Sequence, residues 1–278
     1  MSDVTVVRPP GRLNLPRWSE LWGAREILVR LAQRDVIIRY RQTVLGVVWV
    51  VLQPLVAAAV LTVVFSRVAN FDAPGDVPYF MFSLAGMLAF NLFTGTLSRA
   101  ANSMLQNYAL VAKVFFPRLL VPFSAVVSAL IDFVVGLALV GVLLVRLGIN
   151  PGWPLLWLLG WALAAAVLGT AVGIFASALM VFYRDVQYVL PWVTQILMYA
   201  SPVAYSVTDP KVTGSGFAWL FQANPLTWML EGFRWSLLGT GHPPPVWQTV
   251  GLVVVCVGLM GGAVLYFQRF ERSFADII

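Results

Sequence analysis

Six long stretches of this chain carry no charge, or a single one, and nothing constrains its fold more. They are residues 42–66, 77–98, 119–145, 147–183, 186–208 and 235–268, and Asp132 is the only acidic or basic residue inside them. A helix that crosses a bilayer needs roughly 20 apolar residues, so each stretch can hold a span. Inside a bilayer every backbone N–H and C=O must be satisfied by the segment itself, which a helix does. The expected fold is all-α and integral to a membrane, with spans at about 44–65, 78–98, 119–145, 153–181, 187–206 and 246–267. Pro151, Pro154 and the tract Pro243, Pro244, Pro245 mark where the helices of the two longest stretches begin.

Composition excludes a soluble alternative. Hydrophobic residues make up 60% of the chain and charged residues 11%, too few to cover a water-facing surface. One bundle accounts for the whole length, divided as a basic segment 1–43 and a transmembrane domain 44–278. Residues 1–43 hold no continuous apolar stretch and do not read as a cleavable signal. The single cysteine, Cys256, lies in an apolar run and allows no intrachain disulfide.

The net charge of +6 would suggest nucleic acid in another chain. Here eight arginines precede the first apolar run, among them Arg25, Arg30, Arg34, Arg39 and Arg41, as in a juxtamembrane cluster at an anionic leaflet. With six spans both termini share one side. That side receives 14 of the 18 lysines and arginines, and the other receives Arg67, Arg146, Lys211 and Arg234. The asymmetry puts both termini in the cytoplasm.

Two regions do not span. Residues 18–34 mix Trp18, Leu21, Trp22, Leu28 and Leu31 with Glu20, Arg25, Glu26, Arg30 and Arg34. An amphipathic helix in the interface fits this pattern, and a flexible basic tail is the plainer alternative. Residues 209–240 are broken by Gly214, Gly216, Pro225 and Gly239 yet rich in aromatics. Short helices dipping into the outer leaflet shelter those rings better than an open loop.

Little in the chain can do covalent chemistry. Its two lysines, Lys113 and Lys211, do not follow glycines, so there is no phosphate-cradling P-loop. One histidine, His242, and one cysteine make no metal cluster. Asp132 sits mid-span, where a carboxylate costs roughly 2.5–3.5 kcal/mol unless it faces the bundle interior. With no intramembrane Arg, Lys or His evident beside it, helix packing fits it better than proton coupling. In the fifth span Tyr188, Trp192, Gln195 and Tyr199 fall at spacings of 4, 3 and 4 on one helical face. Such a face suits the weak, repeated contacts of a sugar chain, and a membrane-interface belt plus helix packing is the alternative. Trp49 and Gln53, also four apart, offer a facing wall on the first span.

Several short motifs, in order, resemble those of the ABC-2 type permeases that export polysaccharides such as O-antigen, capsule and teichoic acid. They are Arg34-Asp35-Val36-Ile37-Ile38-Arg39-Tyr40-Arg41-Gln42-Thr43-Val44-Leu45-Gly46 with Trp49 and Gln53-Pro54-Leu55, then Lys113-Val114-Phe115-Phe116-Pro117-Arg118 with Pro122. Tyr183-Arg184-Asp185-Val186 with Pro191, Gln195 and Ser201-Pro202-Val203 follows. Asn224-Pro225-Leu226 with Arg234, and Phe270-Glu271-Arg272 with Phe274-Ala275-Asp276, complete the set. The resemblance covers residues 18–278.

It implies a six-helix subunit working as a homodimer in the bacterial inner membrane on two copies of a separate ATPase, where ATP and Mg bind. This chain itself would be no enzyme and would hold no cofactor. The helix at 18–33 and a coupling helix within 100–117, with Asn107, Tyr108, Leu110 and Lys113, would meet the ATPase. Outer gate helices would lie within 215–239, with Trp219, Phe221 and Trp228. The substrate would be a glycan on a polyprenyl pyrophosphate, with Arg34, Arg39 and Arg41 near its phosphates, since guanidinium forks pair with phosphate oxygens. Topology and contact with anionic lipid account for the same arginines equally well. An ABC-2 exporter of drugs or small lipids would share the fold without needing the aromatic path. A proton-driven oligosaccharide-lipid flippase would be longer, and an ion channel would need rings of charge that are missing here.

Overall fold

A computed structural model of the chain describes residues 22–41, 47–114, 116–214, 216 and 218–271, and all regular structure among them is helical. Helix α1 covers Arg25–Arg41. Helix α2 covers Val47–Leu61 and continues as a π-helical turn over Thr62–Val68. Then come α3 (Tyr79–Gln106), the short α4 (Tyr108–Lys113) and α5 (Leu120–Leu147). A 3-10 turn over Trp153–Trp157 leads into α6 (Leu158–Phe182), followed by α7 (Val186–Ala200), α8 (Pro210–Thr213), α9 (Ala218–Ala223), α10 (Pro225–Leu238) and α11 (Val246–Phe270).

Five of these segments are long and apolar enough to cross a membrane: Val48–Val68, Tyr79–Gln106, Leu120–Leu147, Trp153–Phe182 and Val246–Phe270. They fall on the first, second, third, fourth and sixth expected spans, and residues 44–46 of the first lie outside the described residues. The fifth expected span, 187–206, is helical only as far as Ala200. The next residue, Ser201, is extended and precedes Pro202, whose ring disfavours the helical conformation of the residue before it. At 1.5 Å per residue α7 is about 22 Å long, short of a ~30 Å hydrocarbon core.

Helices α3 and α6 are the centre of the bundle. Gly169 and Gly173, one turn apart on α6, let the two backbones approach. A Cβ at Gly173 would stand 2.6 Å from the carbonyl oxygen of Leu97 and 2.6 Å from the Cβ of Ala100. Small residues four apart are how helices pack closely where no hydrophobic effect drives them together. A second apolar cluster gathers at the basic end, where Leu31, Met104, Val111, Leu120, Ile174 and Phe267 meet. There Arg118 donates its backbone N–H to Oε1 of Glu271 at 3.0 Å and its guanidinium to the Glu271 carbonyl, which fastens the end of α11 to the start of α5.

Helix α1 runs further than the expected 18–34 segment, to Arg41. It lies along α5, burying Leu31 and Ala32 while Trp22 stays exposed; Trp18, Glu20 and Leu21 fall outside the described residues. At the opposite end, α10 is not a dipping surface helix. Twelve of its residues are buried against α3, α6 and α11, including Trp228, Phe233, Arg234 and Trp235. Gly239 ends it with φ +67° against the Pro151 backbone, where a Cβ would stand 2.6 Å from the Pro151 carbonyl oxygen. A left-handed residue in so close a contact has to be glycine.

Candidate functional site

A chamber of about 1020 Å3 lies between α1, α2, α3 and α5. It runs along α3 from Gln106 at the basic end to Leu88, a rise of about 27 Å. One face of α3 supplies its polar wall: Asn91, Ser98, Asn102 and Gln106 recur at spacings of 7, 4 and 4. The facing stripe on α5 is Ser128, Asp132 and Gly136, four apart. Two membrane-length helices thus turn polar faces toward each other and apolar faces elsewhere.

Charges cluster on that wall. Asp132 accepts from Arg99 of α3 and from Arg39 of α1, both on Oδ2, the latter at 2.6 Å; the Tyr40 hydroxyl donates to Oδ1. Arg99 also donates to Ser128 Oγ at 3.0 Å. Burial first, and Asp132 second, push the Tyr40 phenol above its ordinary pKa, so it stays a donor. Closer to the basic end Arg34 pairs with Asp35 at 2.7 Å and donates to the side-chain oxygen of Asn107. Three helices are therefore tied through one carboxylate. This corrects the expectation that Asp132 has no intramembrane arginine partner. Arg99 lies on α3, which continues eight residues beyond the expected end of the span at 98, so what looked like a flanking loop charge is inside the bundle.

The other site residues divide. Arg34, Arg39 and Gln53 line the chamber, while Trp49 is exposed and outside it; the Arg41 side chain is outside what is described. Tyr188, Trp192 and Tyr199 share a face of α7 and are 63–74% exposed, with Gln195 exposed beside them. They do not enter the chamber; Thr194 is the α7 residue that does. Of the expected coupling residues, Tyr108 and Lys113 are exposed, Leu110 packs on the second apolar cluster, and Asn107 is buried and bonded to Ser103 and Arg34. Asn107 is thus an internal tie rather than an open contact, because its amide completes the end of α3. Among the expected gate residues Trp219 is exposed and Phe221 stands 5.8 Å from Tyr205. Trp228 is buried, its indole N–H donating to the Gln222 carbonyl at 2.5 Å.

The sequence puts Asn102 and Gln106 in the 100–117 coupling segment, Arg99 among the cytoplasmic charges and Asn91 in no role, whereas the structure brings all four to the chamber. Their signal was the 3.6-residue polar stripe through the second span, diluted by the small residues Gly95 and Ala101 that lie between them.

The description of ABC-2 type transporters matches residues 27–238. The chain belongs to the ABC-2 type transporter family. Two relatives are similar to the chain over nearly its full length. An O-antigen export system permease protein RfbA of Myxococcus xanthus is 27% identical over 259 residues, covering 93% of this chain and 98% of the relative. One of the same description from Klebsiella pneumoniae is 24% identical over 258 residues, covering 91% and 95%. The matched region of the ABC-2 chain includes α3, α5 and the chamber between them.

Proposed function

We propose that this chain is the membrane subunit of an ABC exporter that carries a lipid-linked polysaccharide of the O-antigen class out of the cytoplasm, driven by ATP and Mg bound to a separate ATPase. The observation that carries the reading is the chamber: a membrane-length helix of an ABC-2 family member turns a stripe of amides and hydroxyls inward instead of packing it shut. A long polar polymer needs such a lining, since ~30 Å of hydrocarbon offers it no partners. The relatives described as O-antigen export permeases, matched over more than nine tenths of their length, favour a glycan over a drug.

Two copies complete the path in this reading. The outer faces of α2 and α7 carry exposed Trp49, Val56, Val60, Tyr188, Trp192 and Tyr199. A second copy facing them covers the belt and places the Tyr188, Trp192, Gln195 and Tyr199 stripe on a shared channel. The basic end, with Arg34, Arg39 and Arg41, faces the cytoplasm of a bacterial inner membrane, where these arginines meet the pyrophosphate of the carrier lipid. Tyr108 and Lys113 on α4 face the ATPase there. Trp219 and Phe221 on α9 belong to the outer gate.

Reconstitution tests the proposal. The chain and its cognate ATPase, in vesicles loaded with polyprenyl-pyrophosphate-linked glycan, should move the glycan only with hydrolysable ATP. ATP hydrolysis by this chain alone, or glycan movement driven by a proton gradient without ATP, overturns the proposal.

A further inference from the structure

One carboxylate on a membrane-length helix holds two guanidinium groups from two other helices, an arrangement that packing alone does not require. Arg39 and Arg99 come from different helices and converge on a single oxygen, Oδ2 of Asp132. They therefore stand within a few ångströms of each other, the spacing that two guanidiniums adopt around a phosphate. Asp132 offsets only one of the two charges. Its other oxygen accepts from Tyr40, a neutral donor, so the arginines remain one positive charge in excess. Arg39 is 43% exposed and lines the chamber.

We propose that Arg39 and Arg99 form a phosphate-binding station within the membrane, with Asp132 as its exchangeable internal counter-ion. The ligand is the phosphate portion of an isoprenoid-anchored headgroup; the inference rests on the export reading above and deepens it. Without a ligand, Asp132 holds the two arginines together against their mutual repulsion. A pyrophosphate offers more oxygens and more charge than a carboxylate, so it displaces Asp132 from one or both guanidiniums. Because the carboxylate competes, the headgroup is held without being trapped, which a transporter needs if its substrate is to move on. Arg34 does not share this arrangement: its counter-ion is the adjacent Asp35 on the same helix, and among the described residues its only tie to a second helix is the neutral side-chain amide of Asn107.

The test uses the full-length chain in phosphatidylcholine nanodiscs and three probes: geranylgeranyl pyrophosphate, inorganic pyrophosphate and geranylgeraniol. The lipid pyrophosphate should bind at least tenfold tighter than either of the others. Arg99→Gln should weaken it tenfold or more, and Asp132→Asn should tighten it severalfold. The double variant Arg99→Gln with Asp132→Asn removes one charge of each sign and leaves only Arg39, which is 43% exposed, so it should melt near wild type and still bind poorly. Equal binding of geranylgeraniol overturns the station. Equal binding of inorganic pyrophosphate overturns the lipid source and assigns the site to a soluble phosphate. If the single variants lower the melting temperature while the affinity for the lipid pyrophosphate stays unchanged in all three, Asp132 is only a staple. Failure of the export reading would look different: wild-type binding and variant effects as stated, with no glycan moved by the complete transporter.

Discussion

The guanidinium of Arg234 lies 4.1 Å from the centre of the Phe82 ring, joining α10 to α3 at the end opposite the basic one. The same side chain donates to the carbonyls of Pro202 and Val203, the latter at 2.5 Å, and pairs with Glu231 at 3.2 Å. Gly86 makes room for it, since a Cβ there would overlap both the Val203 carbonyl and the guanidinium. Asn224 works alongside: it accepts from Leu226 N–H at 2.9 Å to cap α10 and donates to the Ala200 carbonyl at 3.3 Å. Residues far apart in sequence thus fasten the broken end of α7 onto the buried α10.

Removing that fastening should be costly. Arg234→Met takes the guanidinium away from three carbonyls, those of Pro202, Val203 and Tyr205, and from Glu231, a loss of about 3 kcal/mol or more for a buried charge network. The purified variant in detergent should melt several degrees below wild type. Wild-type melting would mean that the turn after α7 is held by other contacts.

Close approach of α3 and α6 gives a sharper structural prediction. Gly173→Val forces a side chain into the Leu97 backbone, and backbone cannot give way as a flexible side chain can. Expression should fall and the remaining protein should be polydisperse by size exclusion. Gly261→Ala on α11 meets nothing within 4 Å and serves as the silent control.

Docking of the ATPase should depend on the exposed face of α4. Tyr108 is 58% exposed, so Tyr108→Asp should leave the melting temperature within about 1 °C of wild type, as most surface changes do. The same variant should cut co-purification of the ATPase at least fivefold. Leu110 is unsuitable for this test because it packs on the second apolar cluster, where an aspartate would also damage the fold. Undiminished co-purification with Tyr108→Asp would move the docking surface away from α4.

The aromatic face of α7 should separate transport from stability. Trp192 and Tyr199 bury little within one chain, so Trp192→Ala and Tyr199→Ala should change folding of the subunit by less than about 1 kcal/mol. Glycan export per transporter should fall severalfold in each. Full export by well-assembled double variants would place the glycan path elsewhere.

Much of this was legible before any coordinates. Uncharged runs bounded by arginines, prolines and glycines set where α3, α5, α6 and α11 lie, because a bilayer-length apolar segment has almost no choice but to be helical. Pro245 begins α11 and Gly148 ends α5 for reasons local to the chain. The short helices between Pro210 and Leu238 followed from their breakers in the same way.

Pairing between helices was not legible. Asp132 reads as a lone carboxylate because Arg39 and Arg99 are 93 and 33 residues away in sequence, and only the packing of α1 and α3 on α5 brings all three together. Likewise Arg234 looks like an outer loop charge until α10 is buried against Phe82. Periodicity reports which residues share a face, and the α7 stripe was read correctly on that ground. Which neighbour a face meets depends on how helices cross, and that is decided by contacts such as Gly173 on Leu97, made between residues with no fixed relation along the chain.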